Sequence, residues 1–155
     1  MNNVRRLNKI LSTLFNNVLK VEEAVMKKSR LHNLSVTEIH TLEAIGYGEV
    51  KTMTHVADAL KINVSTLTAA VNKLVSKGYV NRFRIPEDRR IVMVELSETG
   101  NRAVREHEAF HLVMVKDILS QVSSEETEKF IESLDNVNEF MRNRLIKNKK
   151  KTPVS

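Results

Sequence analysis

The sequence predicts a mainly α-helical chain carrying one small β-hairpin. Three observations lead there: few residues break helices, apolar residues recur at helical spacing over most of the length, and in one stretch that spacing changes to alternation. The 155 residues include only four Gly, two Pro, two Tyr and no Trp, a composition that favours helix over sheet. The first helix shows in Val4, Leu7, Leu11, Leu14, Val18, Val21 and Val25, whose 3,4 spacing lines one stripe and forms a helix-packing seam. Ser35 and Glu38 read as a capping box that opens a second helix. Its buried face is Val36, Ile39, Leu42 and Ile45, and it stops near Gly46.

A short helix is expected from about Thr52 to Leu60, broken by Lys61-Ile62-Asn63. Asn63 suits the N-cap of a further helix running from Val64 to Lys77 and stopped by Gly78. Extended residues follow from Tyr79 to Arg84 and from Ile91 to Leu96, around a turn at Ile85-Pro86-Glu87-Asp88-Arg89. In this β-hairpin Arg82 and Arg84 share a face, as do Val92, Val94 and Leu96. Ser97 caps a long helix to about Gln121, and Ser123 with Glu126 makes a capping box for a last one carrying Phe130, Leu134, Val137, Met141 and Leu145. Helix, tight turn, helix and basic hairpin together spell a winged helix-turn-helix. Within one compact unit, residues 1–34 are expected to form an N-terminal dimerisation helix and residues 35–100 the winged helix-turn-helix. Residues 101–147 would be C-terminal dimerisation helices and 148–155 a basic tail.

Composition narrows the function. The chain has no Cys, which removes disulfides, thiolate zinc ribbons and thiol nucleophiles. The N-terminus lacks a charged-then-apolar leader, so a cytoplasmic location is the expectation. The longest apolar run, Leu112 to Val115, is far below the roughly 20 residues that span a bilayer. Charge is uneven. Residues 61–90 hold Lys61, Lys73, Lys77, Arg82, Arg84, Arg89 and Arg90 against only Glu87 and Asp88. Residues 1–30 hold Arg5, Arg6, Lys9, Lys20, Lys27, Lys28 and Arg30 against Glu22 and Glu23.

The first basic zone coincides with the helix-turn-helix and hairpin, and DNA, with one negative charge per about 1.7 Å of axis, calls for such concentrated cations. The helix from Val64 buries Leu67, Ala70, Val71 and Leu74, and leaves Ser65, Thr66, Thr68, Ala69, Asn72 and Lys73 outward. These side chains are small enough for a major groove. The three hydroxyls and Asn72 can meet phosphates or base edges, and Lys73 suits a phosphate. Arg82 and Arg84 add charge along the hairpin. At its tip Arg89 and Arg90 suit a narrow minor groove, with Asp88 placed to hold a guanidinium extended. No catalytic activity and no cofactor are expected.

Asp88-Arg89-Arg90, five residues of strand and then Leu96-Ser97-Glu98-Thr99-Gly100 resemble the Asp-x-Arg and Leu-Ser/Thr-x-x-Gly signature of the MarR family of winged-helix regulators. Asn63-Val64-Ser65-Thr66-Leu67-Thr68 and Leu74-x-x-x-Gly78-Tyr79-Val80 are similar to that family's recognition helix and first wing strand. The resemblance implies a MarR-like fold and an obligate homodimer built from the first and last two helices. It also makes Arg90 the wing arginine and Asp88 its partner. Within the family the chain is most similar to the fatty-acid-synthesis repressor (FabT-type) branch. The residues concerned are Leu14-Phe15-Asn16-Asn17-Val18-Leu19, Glu22-Glu23, Ser29-Arg30, Ser35-x-x-Glu38-x-His40-Thr41-x-x-x-Ile45-Gly46 and His107-x-x-Phe110-His111-x-x-Met114-Val115. That likeness implies repression of fatty-acid biosynthesis genes with long-chain acyl-acyl carrier protein as corepressor. An acidic carrier would suit the N-terminal basic zone, and its acyl chain an apolar slot between helices.

His107-Glu108-Ala109-Phe110-His111 also matches H-E-x-x-H, the zinc-protease pattern. A five-residue match on an expected dimer helix, without the accompanying scaffold, does not make an enzyme. The alternative it leaves is a different effector. Some MarR-type regulators respond to zinc through two such His, a His of the second helix and a carboxylate of the first, here His107, His111, His40 and Glu22 or Glu23.

Overall fold

A computed structural model describes residues 2–149, with side chains through residue 145. Its element order is α1 (Asn3–Lys28), α2 (Val36–Ile45), β1 (Val50–Thr52), α3 (Met53–Leu60), α4 (Val64–Ser76), β2 (Val80–Arg84), β3 (Val92–Leu96), α5 (Glu98–Leu119) and α6 (Ser124–Lys149). The chain divides inside α5 into two compact units, residues 1–109 and 110–155.

In the first unit the helix starts are capped by local hydrogen bonds. Asn2 caps α1 by accepting from the Val4 N–H at 3.1 Å. The α2 capping box is complete, with Ser35 Oγ accepting from the Glu38 N–H and Glu38 Oε2 from the Ser35 N–H. Gly46 ends α2 at φ 95°, a backbone that L side chains rarely adopt. Ile39, Leu42 and Ile45 of α2, Val56 of α3, and Leu67, Val71 and Leu74 of α4 are completely buried with Val94 of β3. Each contributes roughly 1.5–3 kcal/mol by leaving water.

The sheet is larger than the expected hairpin. β3 lies between β1 and β2, antiparallel to both. The three residues Val50-Lys51-Thr52 carry no readable period, and pairing with the open edge of β3 makes them a strand. Opposite residues of an antiparallel pair share a face. The register Val80↔Leu96, Arg82↔Val94 and Arg84↔Val92 therefore puts both arginines on the side of the sheet that packs on the helices.

The Leu96-Ser97-x-x-Gly100 run has a mechanical reading. The Ser97 N–H donates to the Tyr79 carbonyl at 2.9 Å, its hydroxyl donates to the Gly78 carbonyl at 2.7 Å, and Ser97 Oγ accepts from the Gly100 N–H. One serine thus caps α5 and ties it to the start of β2. Gly100 is buried, and a Cβ there would overlap the Tyr79 carbonyl oxygen.

In the second unit the end of α5 exposes Leu112, Val113, Val115 and Ile118, and α6 exposes Leu134, Val137, Met141 and Leu145. Ser123 and Glu126 meet side chain to side chain, Oγ donating to Oε2 at 2.6 Å, rather than through both halves of a capping box. Apart from the backbone of residues 148 and 149, the expected basic tail 148–155 lies outside the described residues.

Replacing Gly100 by Ala forces a backbone carbonyl to move and is expected to cost about 3 kcal/mol. Urea unfolding measures this, and an unchanged midpoint would show that the Tyr79–Gly100 approach is not tight.

Candidate nucleic-acid interface

α3 and α4 are joined by a three-residue turn in which Lys61 takes the left-handed conformation at φ 59°. Asn63 then caps α4, its Oδ1 accepting from the Thr66 N–H at 2.7 Å and the Ser65 hydroxyl at 2.8 Å. With Leu67, Val71 and Leu74 sealed in the core, α4 shows Ser65, Thr66, Ala69, Asn72 and Lys73 to solvent, and Thr68 is half-buried. Two of the three hydroxyl protons are committed inside the protein, Ser65 to Asn63 and Thr68 to the Val64 carbonyl at 2.8 Å. Ser65 and Thr68 in these rotamers present lone pairs, whereas the Thr66 hydroxyl makes no hydrogen bond among the described residues.

The hairpin arginines are not equivalent. Arg82 Nη1 donates to Asn72 Oδ1 at 2.9 Å, which ties β2 to the exposed face of α4. Arg84 Nη1 donates across the turn to the Arg89 carbonyl at 3.0 Å. Asp88 accepts from the Arg90 backbone N–H at 2.9 Å, and the Ile91 N–H donates to the Asp88 carbonyl. Among the described residues Asp88 forms no ion pair with a guanidinium, so here it shapes the turn instead of extending an arginine. Arg89 and Arg90 are left exposed at the tip.

A cleft of about 300 Å³ gathers Arg82 and Arg90 with Val64 and Thr68 of α4 and with Thr52 and Thr54 at the start of α3. Two guanidiniums among three hydroxyl side chains suit a phosphate. Sequence reasoning missed Thr52 and Thr54 as site residues. The one local signal was Thr52 as an N-cap, its Oγ1 accepting from the His55 N–H at 3.1 Å.

The histidine cluster is partly assembled in the first unit. Glu22 of α1 is 2% exposed and His107 of α5 is 1% exposed. Both His107 Nε2 and His40 Nε2 lie 3.6 Å from Glu22 Oε1. On its other side His107 Nδ1 lies 2.6 Å from Glu43 Oε1. Glu23 is exposed and pairs with Lys27 at 3.1 Å, so it is not part of this group, and His111 falls in the second unit.

A second cleft, about 620 Å³, opens beside the α1–α2 loop with Leu19, Met26, Leu34 and Val36 among its lining. Lys77, which caps the end of α4, also lines it, donating to the Asn33 carbonyl at 2.7 Å and to Glu38 at 2.8 Å. Burial disfavours the Glu38 charge, yet the Lys77 hydrogen bond, the Ser35 N–H, the Lys77 charge and the Ser35 hydroxyl outweigh it. Together they hold the carboxyl below its ordinary value.

The MarR family model matches residues 34–92, the span from the α1–α2 loop to the start of β3. The HTH-type transcriptional regulator PecS of Dickeya dadantii (strain 3937) is 33% identical over 124 residues, covering 76% of this chain and 72% of PecS. Among solved structures, Streptococcus pneumoniae FabT in complex with DNA is similar at TM-score 0.86 and 35% identity over 91% of this chain and 99% of that one. The transcriptional regulator BldR from Sulfolobus solfataricus is similar at TM-score 0.66 and 28% identity over 90% and 99%. A helix-turn-helix with a basic wing, a family model on that segment and relatives of this extent agree: the chain belongs to the MarR family and is a DNA-binding transcription regulator, not an enzyme.

Proposed function

We propose that the chain is a homodimeric repressor of fatty-acid biosynthesis genes, with long-chain acyl-acyl carrier protein as corepressor. The observation that carries this is the FabT-type run of residues through α1, α2 and α5, supported by the likeness of the whole fold to S. pneumoniae FabT. Dimerisation is supported by α1. Val4, Leu7, Leu14 and Val21 are 46–71% exposed on one stripe of the single chain, an apolar face that a second copy would cover. Such a dimer sets two α4 helices into successive major grooves about one helical turn apart on a pseudo-palindromic operator. The proposed contacts are Ser65, Thr66, Thr68, Asn72 and Lys73 of α4 with Arg82, Arg84, Arg89 and Arg90 of the wing, its turn shaped by Asp88. The cleft floored by Leu19, Met26, Leu34 and Val36 is the apolar slot proposed for an acyl chain. The surplus of Lys and Arg along residues 1–30 suits an acidic carrier.

Lys73→Ala and Arg90→Ala are each expected to weaken operator binding and to flatten its salt dependence by about one unit for each phosphate no longer neutralised. Fluorescence anisotropy across a salt series reads both, and parental slopes would remove these residues from the DNA-binding set. In a gel shift, acyl-loaded carrier protein should tighten operator binding while the unloaded carrier does not. Equal effects of the two forms would reject the corepressor.

A second reading has its own observation. Ligand atoms around tetrahedral zinc, at bonds of about 2.0–2.1 Å, sit roughly 3.4 Å apart. The Glu22 oxygen stands 3.6 Å from both His40 and His107 Nε2. Glu43 on His107 Nδ1 is the carboxylate that orients a metal-binding imidazole. On this reading operator affinity of metal-free protein changes with added zinc and the response disappears in His107→Ala. An affinity indifferent to zinc eliminates it.

A further inference from the structure

Asn72 lies on the exposed face of α4, one turn beyond Thr68 and two turns beyond Ser65. A carboxamide has two unlike ends. It reads adenine by using both, the oxygen accepting from N6–H and the nitrogen donating to N7. Here one lone pair of the oxygen is engaged, because Arg82 Nη1 donates to Asn72 Oδ1 at 2.9 Å, and that bond turns the oxygen end of the amide toward β2. The assignment of the amide is forced by chemistry, since a guanidinium only donates and only the oxygen end can face it. Arg82 is placed for this by the sheet. It sits opposite the buried Val94 on the face of β2 that packs on the helices.

We infer that Arg82 is a positioning residue that holds the Asn72 oxygen toward β2 and so presents its NH2 to DNA. The Asn72 NH2 then donates to an acceptor on the DNA: a purine N7, guanine O6, thymine O4 or a phosphate oxygen. The paired carboxamide contact to adenine needs both ends of the amide on one base edge, and an oxygen turned toward Arg82 disfavours it. Arg82 therefore acts on operator binding through Asn72, besides lining the cleft it shares with Arg90 and Thr68.

The test uses the full-length protein and an operator fragment selected by it from random DNA, with affinities measured by anisotropy for the parent, Asn72→Ala, Arg82→Ala and the double variant. Circular dichroism melts check folding, and both side chains are exposed. Asn72→Ala should weaken binding about fivefold in the parent and not further in Arg82→Ala, since an Asn72 without its positioning partner no longer engages the DNA. The operator is then edited atom by atom. 7-Deazapurines remove N7, a pyrimidinone lacking O4 replaces thymine, methylphosphonates replace phosphates, and purine replaces adenine to remove N6. One acceptor-removing edit should cost the parent about fivefold and cost nothing in either single variant. A base edit identifies a base contact, a methylphosphonate a backbone contact. The inference is overturned if the edit coupled to Asn72 is the loss of adenine N6, if the effects of Asn72→Ala and Arg82→Ala simply add, or if Asn72→Ala binds as the parent does.

Discussion

Everything this molecule presents to a partner at α4 is set by how α4 is buried. Leu67, Val71 and Leu74 are completely withdrawn from water, and together that burial outweighs any single polar contact on the helix. A helix sealed along one face has no freedom of rotation. Turning α4 by one residue, about 100°, would expose a leucine and drive Asn72 or Ser65 into apolar surroundings without partners, a doubly unfavourable exchange. The outward row of small polar residues is thus the remainder left by core packing. The wing is fixed in the same frame, because Ser97 and Gly100 lock the start of α5 against Gly78 and Tyr79 at the end of the α4–β2 connection.

That logic explains what could be read from sequence. The caps at Ser35, Asn63 and Ser97 and the buried rows of α2 and α4 are local, with donor, acceptor and apolar spacing lying within one or two turns. β1 was not legible, because Val50-Lys51-Thr52 become a strand only by meeting β3 more than 40 residues later. Among site residues, composition put Arg82 and Arg84 in one basic wing but could not separate their tasks. What each can reach depends on register, and the register that sets Arg82 opposite Val94 and within reach of Asn72 is a tertiary fact. The grouping of His40, His107 and His111 with Glu22 or Glu23 was read from a family likeness. Burial then distinguished Glu22 from its exposed neighbour Glu23, which hydropathy could not do.

α1 carries the opposite imbalance to α4. Its buried residues in the single chain are Met26 and a carboxylate, Glu22, while most of its apolar stripe remains in solvent. A buried carboxylate is tolerated only where partners offset its lost hydration, and here they are His40 of α2 and His107 of α5. One polar junction therefore joins three helices. Burying polar groups there costs hydration that only their mutual contacts offset, so a ligand competing for those contacts acts on all three helices at once.

The α1–α2 loop offers a second route to α4. Asn33 accepts from Lys77 through its carbonyl and from the Tyr79 hydroxyl through Oδ1 at 2.7 Å. A single loop residue thus holds both sides of the glycine that ends the helix. Lys77 and Asn33 also line the larger cleft. A molecule entering that cleft meets the groups that fix the end of α4, and it alters DNA binding only to the extent that it prefers one setting of those groups over another. The preference must run both ways. A corepressor that tightens the hold on an operator by some factor is itself held more tightly, by the same factor, once the operator is bound. An occupant insensitive to the presence of DNA would be a passenger in the cleft, however well it fits.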